Sequence, residues 1–103
     1  MAVHNIPLSF KLGGRDWKVI YSETVDDGEA YAKWLDTSAE ILLARNIKED
    51  GKLLNCSDYL IEHSFWHEIG HIFQYYSEGH TDEKFAQTFA TFMMEFHNTK
   101  IDR

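Results

Sequence analysis

Leu8, Phe10 and Leu12 alternate with Ser9 and Lys11, and after Gly13-Gly14 the alternation resumes at Trp17, Val19 and Tyr21. A period of two on both sides of a glycine pair predicts a β-hairpin. An acidic stretch from Glu23 to Glu29, broken by Gly28, separates it from two further apolar runs, Tyr31 to Leu35 and Glu40 to Ala44. These flank the turn formers Asp36-Thr37-Ser38 and predict a second hairpin. Residues Asn46 to Asn55 carry Gly51, charges and little periodicity, which predicts a surface loop. From Asp58 the period changes: Leu60, Ile61, Phe65, Ile69, Ile72, Phe73 and Tyr76 recur every three or four residues, predicting a helix capped by Ser57 and stopped at Gly79. Thr81 is placed to cap a second helix, whose Phe85, Phe89, Phe92, Met93 and Phe96 form a broad apolar face. Strands first and helices second predict an α+β architecture, a small antiparallel or mixed sheet from the N-terminal hairpins packed on two C-terminal helices.

Composition narrows this picture. A chain of 103 residues, 44% of them hydrophobic, can bury one modest core, so residues 1–103 are expected to form a single domain. No repeat or low-complexity stretch divides it. Ten Lys+Arg against 17 Asp+Glu give a net charge of −7, and no basic cluster interrupts that balance, which argues against a nucleic-acid partner. The first seven residues lack a basic region followed by an apolar run, and nowhere do eighteen apolar residues follow one another, so a soluble, cytoplasmic protein without a membrane partner is expected. A lone Cys56 excludes an internal disulfide and reads as a small apolar filler ahead of the helix. Trp17, Trp34, Trp66 and the Phe-rich second helix read as core, and His4 and His97 as surface.

The first predicted helix contains His67-Glu68-Ile69-Gly70-His71. Residues four apart share one helical face, so both imidazoles can reach one ion at the Zn–N distance of about 2.0–2.1 Å. Glu68, one position after His67, stands beside such an ion without being aimed at it, where a carboxylate can take a proton from the ion's water. A catalytic zinc takes three protein ligands. His80, Asp82 and Glu83 lie downstream and His63 upstream, but His63 and His71 are two turns apart, about 12 Å of rise, so His63 reads instead as a group supporting the ligands, as a cleft wall or as simple surface. Glu83 is the expected third ligand, because Glu83, Ala86, Gln87 and Ala90 share one face and the alanines let the two helices approach closely.

With these residues in place, the chain resembles the gluzincin class of zinc peptidases, in particular the minigluzincins and ImmA/IrrE-like metallopeptidases. Trp66-His67-Glu68-Ile69-Gly70-His71-Ile72 looks like their active-site helix, and Glu83-Lys84-Phe85-Ala86-Gln87-Thr88-Phe89-Ala90 looks like their glutamate helix. The similarity is close over residues 62–96 and looser over the N-terminal strands. It implies a zincin-like fold, zinc on His67, His71 and Glu83, Glu68 as general base, and a last strand near Glu40 to Ala44 bordering the substrate cleft. Three departures stand out. Only eleven residues separate His71 from Glu83, Gln87 replaces an acid that supports a ligand histidine in many members, and no oxyanion-stabilising residue aligns, leaving Tyr75, Tyr76 and His80 as candidates by proximity.

Two activities are compatible with this pattern. The first is a zinc-dependent endopeptidase acting on an extended peptide or protein segment held by edge-strand pairing along Glu40 to Ala44. The second is a latent or inactive zincin-like domain, stabilised by its metal and acting as a binding module, since a small domain gains stability from a structural ion.

Overall fold

The computed structural model describes residues 5–101, so His4 lies outside the described residues. Strands β1 (Ser9–Leu12) and β2 (Arg15–Ser22) pair antiparallel, with Leu12 opposite Arg15 across Gly13-Gly14. Both glycines have positive φ, 62° and 78°, the twist a two-residue hairpin demands and the reason the glycine pair stands there. Strands β3 (Ala32–Leu35) and β4 (Glu40–Ala44) form the second antiparallel hairpin, with Leu35 opposite Glu40.

The two hairpins join through a parallel pairing of β2 with β4, in which Val19 meets Ile41 and Tyr21 meets Leu43. The sheet is therefore mixed, in the order β1-β2-β4-β3. This corrects one expectation: β4 is an interior strand, and the edge on that side is β3. The burial explains the order, since Ile41, Leu43 and Ala44 are wholly enclosed whereas every residue of β3 is half-buried. An apolar run without alternation, Ile41-Leu42-Leu43-Ala44, suits a strand flanked on both sides.

Residues 46–55 are not a loop. They form a small hairpin, β5 (Asn46–Glu49) with β6 (Lys52–Asn55), closed by Asp50-Gly51 at φ 52° and 73°. Asp-Gly is among the strongest two-residue turn signals, and the polar flanking strands concealed it. The acidic stretch holds a short 3-10 turn at Asp26–Gly28.

Helix α1 (Asp58–Glu78) begins where predicted, with the Ser57 hydroxyl accepting from the Leu60 N–H at 3.1 Å, and ends at Gly79 in the left-handed conformation. Helix α2 (Glu83–Thr99) is capped one residue later than predicted: the Asp82 carboxylate, rather than Thr81, accepts from the backbone N–H groups of Lys84 and Phe85. A carboxylate at this position also meets the positive end of the helix dipole, which a hydroxyl does not.

Ile61, Phe65, Ile69 and Ile72 of α1 close the core over Trp17, Val19, Ile41 and Leu43. The Trp17 indole N–H, fully enclosed, donates to the Leu12 carbonyl at 3.1 Å. Helix α1 packs on β3 and β4, and α2 rests mainly on α1, so the layers run sheet, α1, α2 rather than sheet with two helices side by side. Being covered on two sides, α1 buries polar as well as apolar residues, among them Glu62, Ser64, Glu68, His71 and Gln74. The surface of α2 that meets α1 is centred on Ala86, Ala90 and Met94, with the half-buried Phe85 and Phe89 at its margin against Phe73 and Gly70, whereas Phe92 and Phe96, expected in the core, are exposed. His97 is half-buried rather than on open surface, its ring stacked on Trp66 at 4.9 Å. Cys56 is half-buried against the core and its thiol is pushed up by burial. Among the described residues no helix is long and apolar enough to cross a membrane.

Candidate metal centre

His67 and His71 lie one turn apart on α1, their rings 4.7 Å between centroids and nearly perpendicular. Four residues of helix place them on one face, and the crossing of α1 with α2 decides what they meet. Gly70 sits at that crossing. A Cβ there would stand 3.1 Å from the Phe89 ring and 3.2 Å from the Ala86 Cα, so the missing side chain of Gly70 makes room for the α2 backbone at Ala86 and for the Phe89 ring. The start of α2 is thereby drawn over the histidines, and one Glu83 oxygen lies 2.9 Å from His67 Nε2 while the other lies 3.1 Å from His71 Nε2.

Glu68 completes a close group. One potential ligand atom from each of His67, Glu68 and His71 falls within 4.8 Å of the others, so these three could hold a metal ion. The Glu68 side chain is buried, and its carboxyl is pushed up to about 7, first by loss of water and second by the negative charge of Glu83. At that value the group is divided between acid and base at neutral pH, the condition for both taking and giving a proton. Burial also holds His71 below its ordinary value, against the opposing pull of Glu83, which leaves the ring neutral, the form that donates a lone pair to a cation. Two imidazole nitrogens and a carboxylate converging on one point form a donor set suited to a borderline-soft divalent ion.

The remaining sequence candidates stand apart from this point. Asp82 is occupied as the cap of α2, and His80 lies in the open, 3.1 Å from Glu78. The Tyr76 hydroxyl donates to Asp36 and accepts from Arg15, both at 2.8 Å, and Tyr75 packs on Trp34, so neither tyrosine reaches the centre. His63 belongs to the wall of the cleft, stacked on Tyr59 and lowered by burial and by the neighbouring His67. Gln87 lines the same cleft, and the buried His71 Nδ1 has no hydrogen-bond partner among the described residues.

The cleft measures about 380 Å³, within the usual range for a ligand site, and runs between His67, Glu68 and Glu83 on one side and Tyr31 and Ala32 on the other. Tyr31 and Ala32 were not among the sequence candidates. They reach the cleft because β3 is the edge strand, a consequence of strand order that no local signal near Tyr31 carries.

The glycine at the helix crossing yields a direct test. Gly70→Val adds a Cβ, itself already tight, and two methyl groups beyond it, and is expected to destabilise the chain by about 1–3 kcal/mol. The accompanying fall in melting temperature is about 4–8 °C per kcal/mol for a chain near this size. Because Glu83 rides on α2, zinc affinity should fall as well, measured by titration of the folded variant below its melting point. An unchanged affinity in a destabilised variant would separate the crossing from the placement of Glu83.

No family model matches the sequence, and neither a curated protein nor a solved structure matches the chain.

Proposed function

We propose that this chain is a zinc-dependent endopeptidase with a zincin-like fold, in which His67, His71 and Glu83 hold the ion and Glu68 is the general base. The observation that carries this reading is the convergence of both His Nε2 atoms on the Glu83 carboxylate, beside the buried Glu68, in a cleft open to an extended ligand. Zinc, when bound, supplies a Lewis acid that acidifies water and polarises a carbonyl.

The chain's own residues supply the rest. The Glu68 carboxylate takes a proton from the attacking water and returns it to the nitrogen of the leaving amine. Its burial keeps bulk water from competing for that proton, and its position one residue from His67 ties it to the centre through a rigid helix. Peptide substrate is held along β3, which among the described residues pairs only with β4 and whose first residue, Ala32, lines the cleft. Main-chain hydrogen bonds to Ala32 and Trp34, whose N–H and C=O groups point away from β4 while those of Lys33 are turned toward it, would add the substrate to the sheet as a further strand. The resemblance to gluzincins and minigluzincins agrees with this assignment of residues, with β3 taking the part expected of β4.

The test joins metal content to cleavage. Protein purified without added metal is expected to carry about one equivalent of zinc, and digestion of a peptide library should stop on chelation and return with zinc. Transition metal below about a tenth of an equivalent after zinc incubation and desalting would end the metalloprotein reading. Zinc that raises the melting temperature without any cleavage would identify the metal-stabilised binding module instead.

A further inference from the structure

Five of the seven phenylalanines line one surface, on which Phe85 and Phe89 are half-buried and Phe73, Phe92 and Phe96 exposed. Phe73 of α1 stacks against Phe85 and Phe89 of α2, each pair at 6.3 Å and nearly parallel, and Phe85 stacks on Phe89 at 6.2 Å. The stripe continues along α2 through Phe92 and Phe96. Phe73, Phe92 and Phe96 are 51%, 68% and 58% exposed. At roughly 200 Å² per phenylalanine, these three alone leave about 350 Å² of aromatic surface in water, in the range that marks binding surfaces on soluble chains.

We propose that this stripe joins two copies of the chain, with α2 packed antiparallel against the partner's α2 about a two-fold axis between positions 90 and 91. The spacing of the stripe points to that occupant. Phe85, Phe89, Phe92 and Phe96 follow one another at intervals of four, three and four residues, a coiled-coil seam that reads the same in both directions. Run antiparallel, Phe85 meets the partner's Phe96 and Phe89 meets the partner's Phe92, so each of the four α2 rings has an aromatic counterpart. A two-fold interface requires such a self-complementary patch.

Charge fits the same register. At 100° per residue, the exposed Lys84 and Glu95 lie on one flank of the stripe, while its other flank carries the half-buried Met93 and the buried Ala86. In the antiparallel pairing Lys84 comes within about 3 Å of axial rise of the partner's Glu95, and the symmetry repeats that opposite-charge pair. The aromatic centre with this polar margin is the anatomy of a standard interface, which takes about 800 Å² from each partner. Glu83 and Gln87 lie on the side of α2 away from the stripe, so the cleft stays open in the dimer and the inference stands independently of the proposed peptidase activity.

Sedimentation equilibrium of the full chain over a concentration series tests it. The unmodified chain is expected to reach the dimer mass, and Phe92→Lys to weaken association by about a hundredfold or more, because two lysines would enter the seam. Phe92 is exposed within its own chain, so the variant should keep its circular dichroism spectrum. Lys84→Glu and Glu95→Lys should each weaken the dimer by about tenfold, and the two together should restore it to within about threefold. A chain that stays monomeric throughout, a dimer indifferent to Phe92→Lys, or a double charge reversal that recovers nothing overturns the proposal.

Discussion

Glu68→Gln is expected to lower peptide hydrolysis by about two to four orders of magnitude while leaving metal content at the level of the unmodified chain. The amide keeps the shape of the carboxyl and much of its hydrogen-bonding capacity, and loses only the ability to accept a proton and pass it on. The fold should tolerate the exchange. Glu68 is buried at 7% exposure, and its carboxyl is already raised to about 7, so a neutral group at this position replaces one that is half neutral at physiological pH. Zinc retention, measured by elemental analysis on the same preparation used for the digest, shows that chemistry and binding have been separated. A variant that cleaves as fast as its parent removes Glu68 from the role of base.

The second large effect belongs to Glu83. Glu83→Ala should weaken zinc binding by roughly 3 kcal/mol, about a hundredfold, since one of the three proposed ligands is lost, whereas His80→Ala should change affinity by less than about 1 kcal/mol. The contrast is sharp because little else rides on either side chain. Glu83 is 80% exposed and makes its close contacts with His67 and His71, so its removal opens no cavity. What the helix loses is one acidic group in its first turn, worth about 0.3–1 kcal/mol of favourable dipole interaction, and Asp82 still caps it. His80 contacts Glu78 on the open surface. Isothermal titration of both variants with zinc decides between them. Metal lost in His80→Ala and kept in Glu83→Ala would remove the glutamate, and with it the likeness to gluzincins.

Several features of the fold are legible in the residues alone because their causes are local. The Gly13-Gly14 hairpin, the Ser57 cap and the Gly79 stop each depend on residues within four positions of one another. Where periodicity misleads, a competing signal stands in the same stretch of chain. Asp50-Gly51 specifies a hairpin that flanking charges obscure, and Asp82 outcompetes Thr81 as the cap because its carboxylate accepts from two N–H groups. The apolar run Ile41 to Ala44 carries the mark of an interior strand, against the edge position that the likeness to peptidases implies.

That His67 and His71 share a helical face with Glu68 beside them follows from the residues alone, since a helix repeats every 3.6 residues whatever surrounds it. Equally legible there is that α2 carries apolar residues around much more than the arc a core needs. Tertiary packing decided which part of that arc is covered: α1 approaches over Gly70 against Ala86 and Phe89, and this crossing leaves Phe92 and Phe96 facing outward while bringing Glu83 over both histidines. It decided equally that β3 rather than β4 borders the cleft, because the parallel pairing of β2 with β4 joins residues more than twenty positions apart. Periodicity records that a face is apolar, and the choice of what lies against it rests on the packing of distant elements, which no short stretch of chain contains.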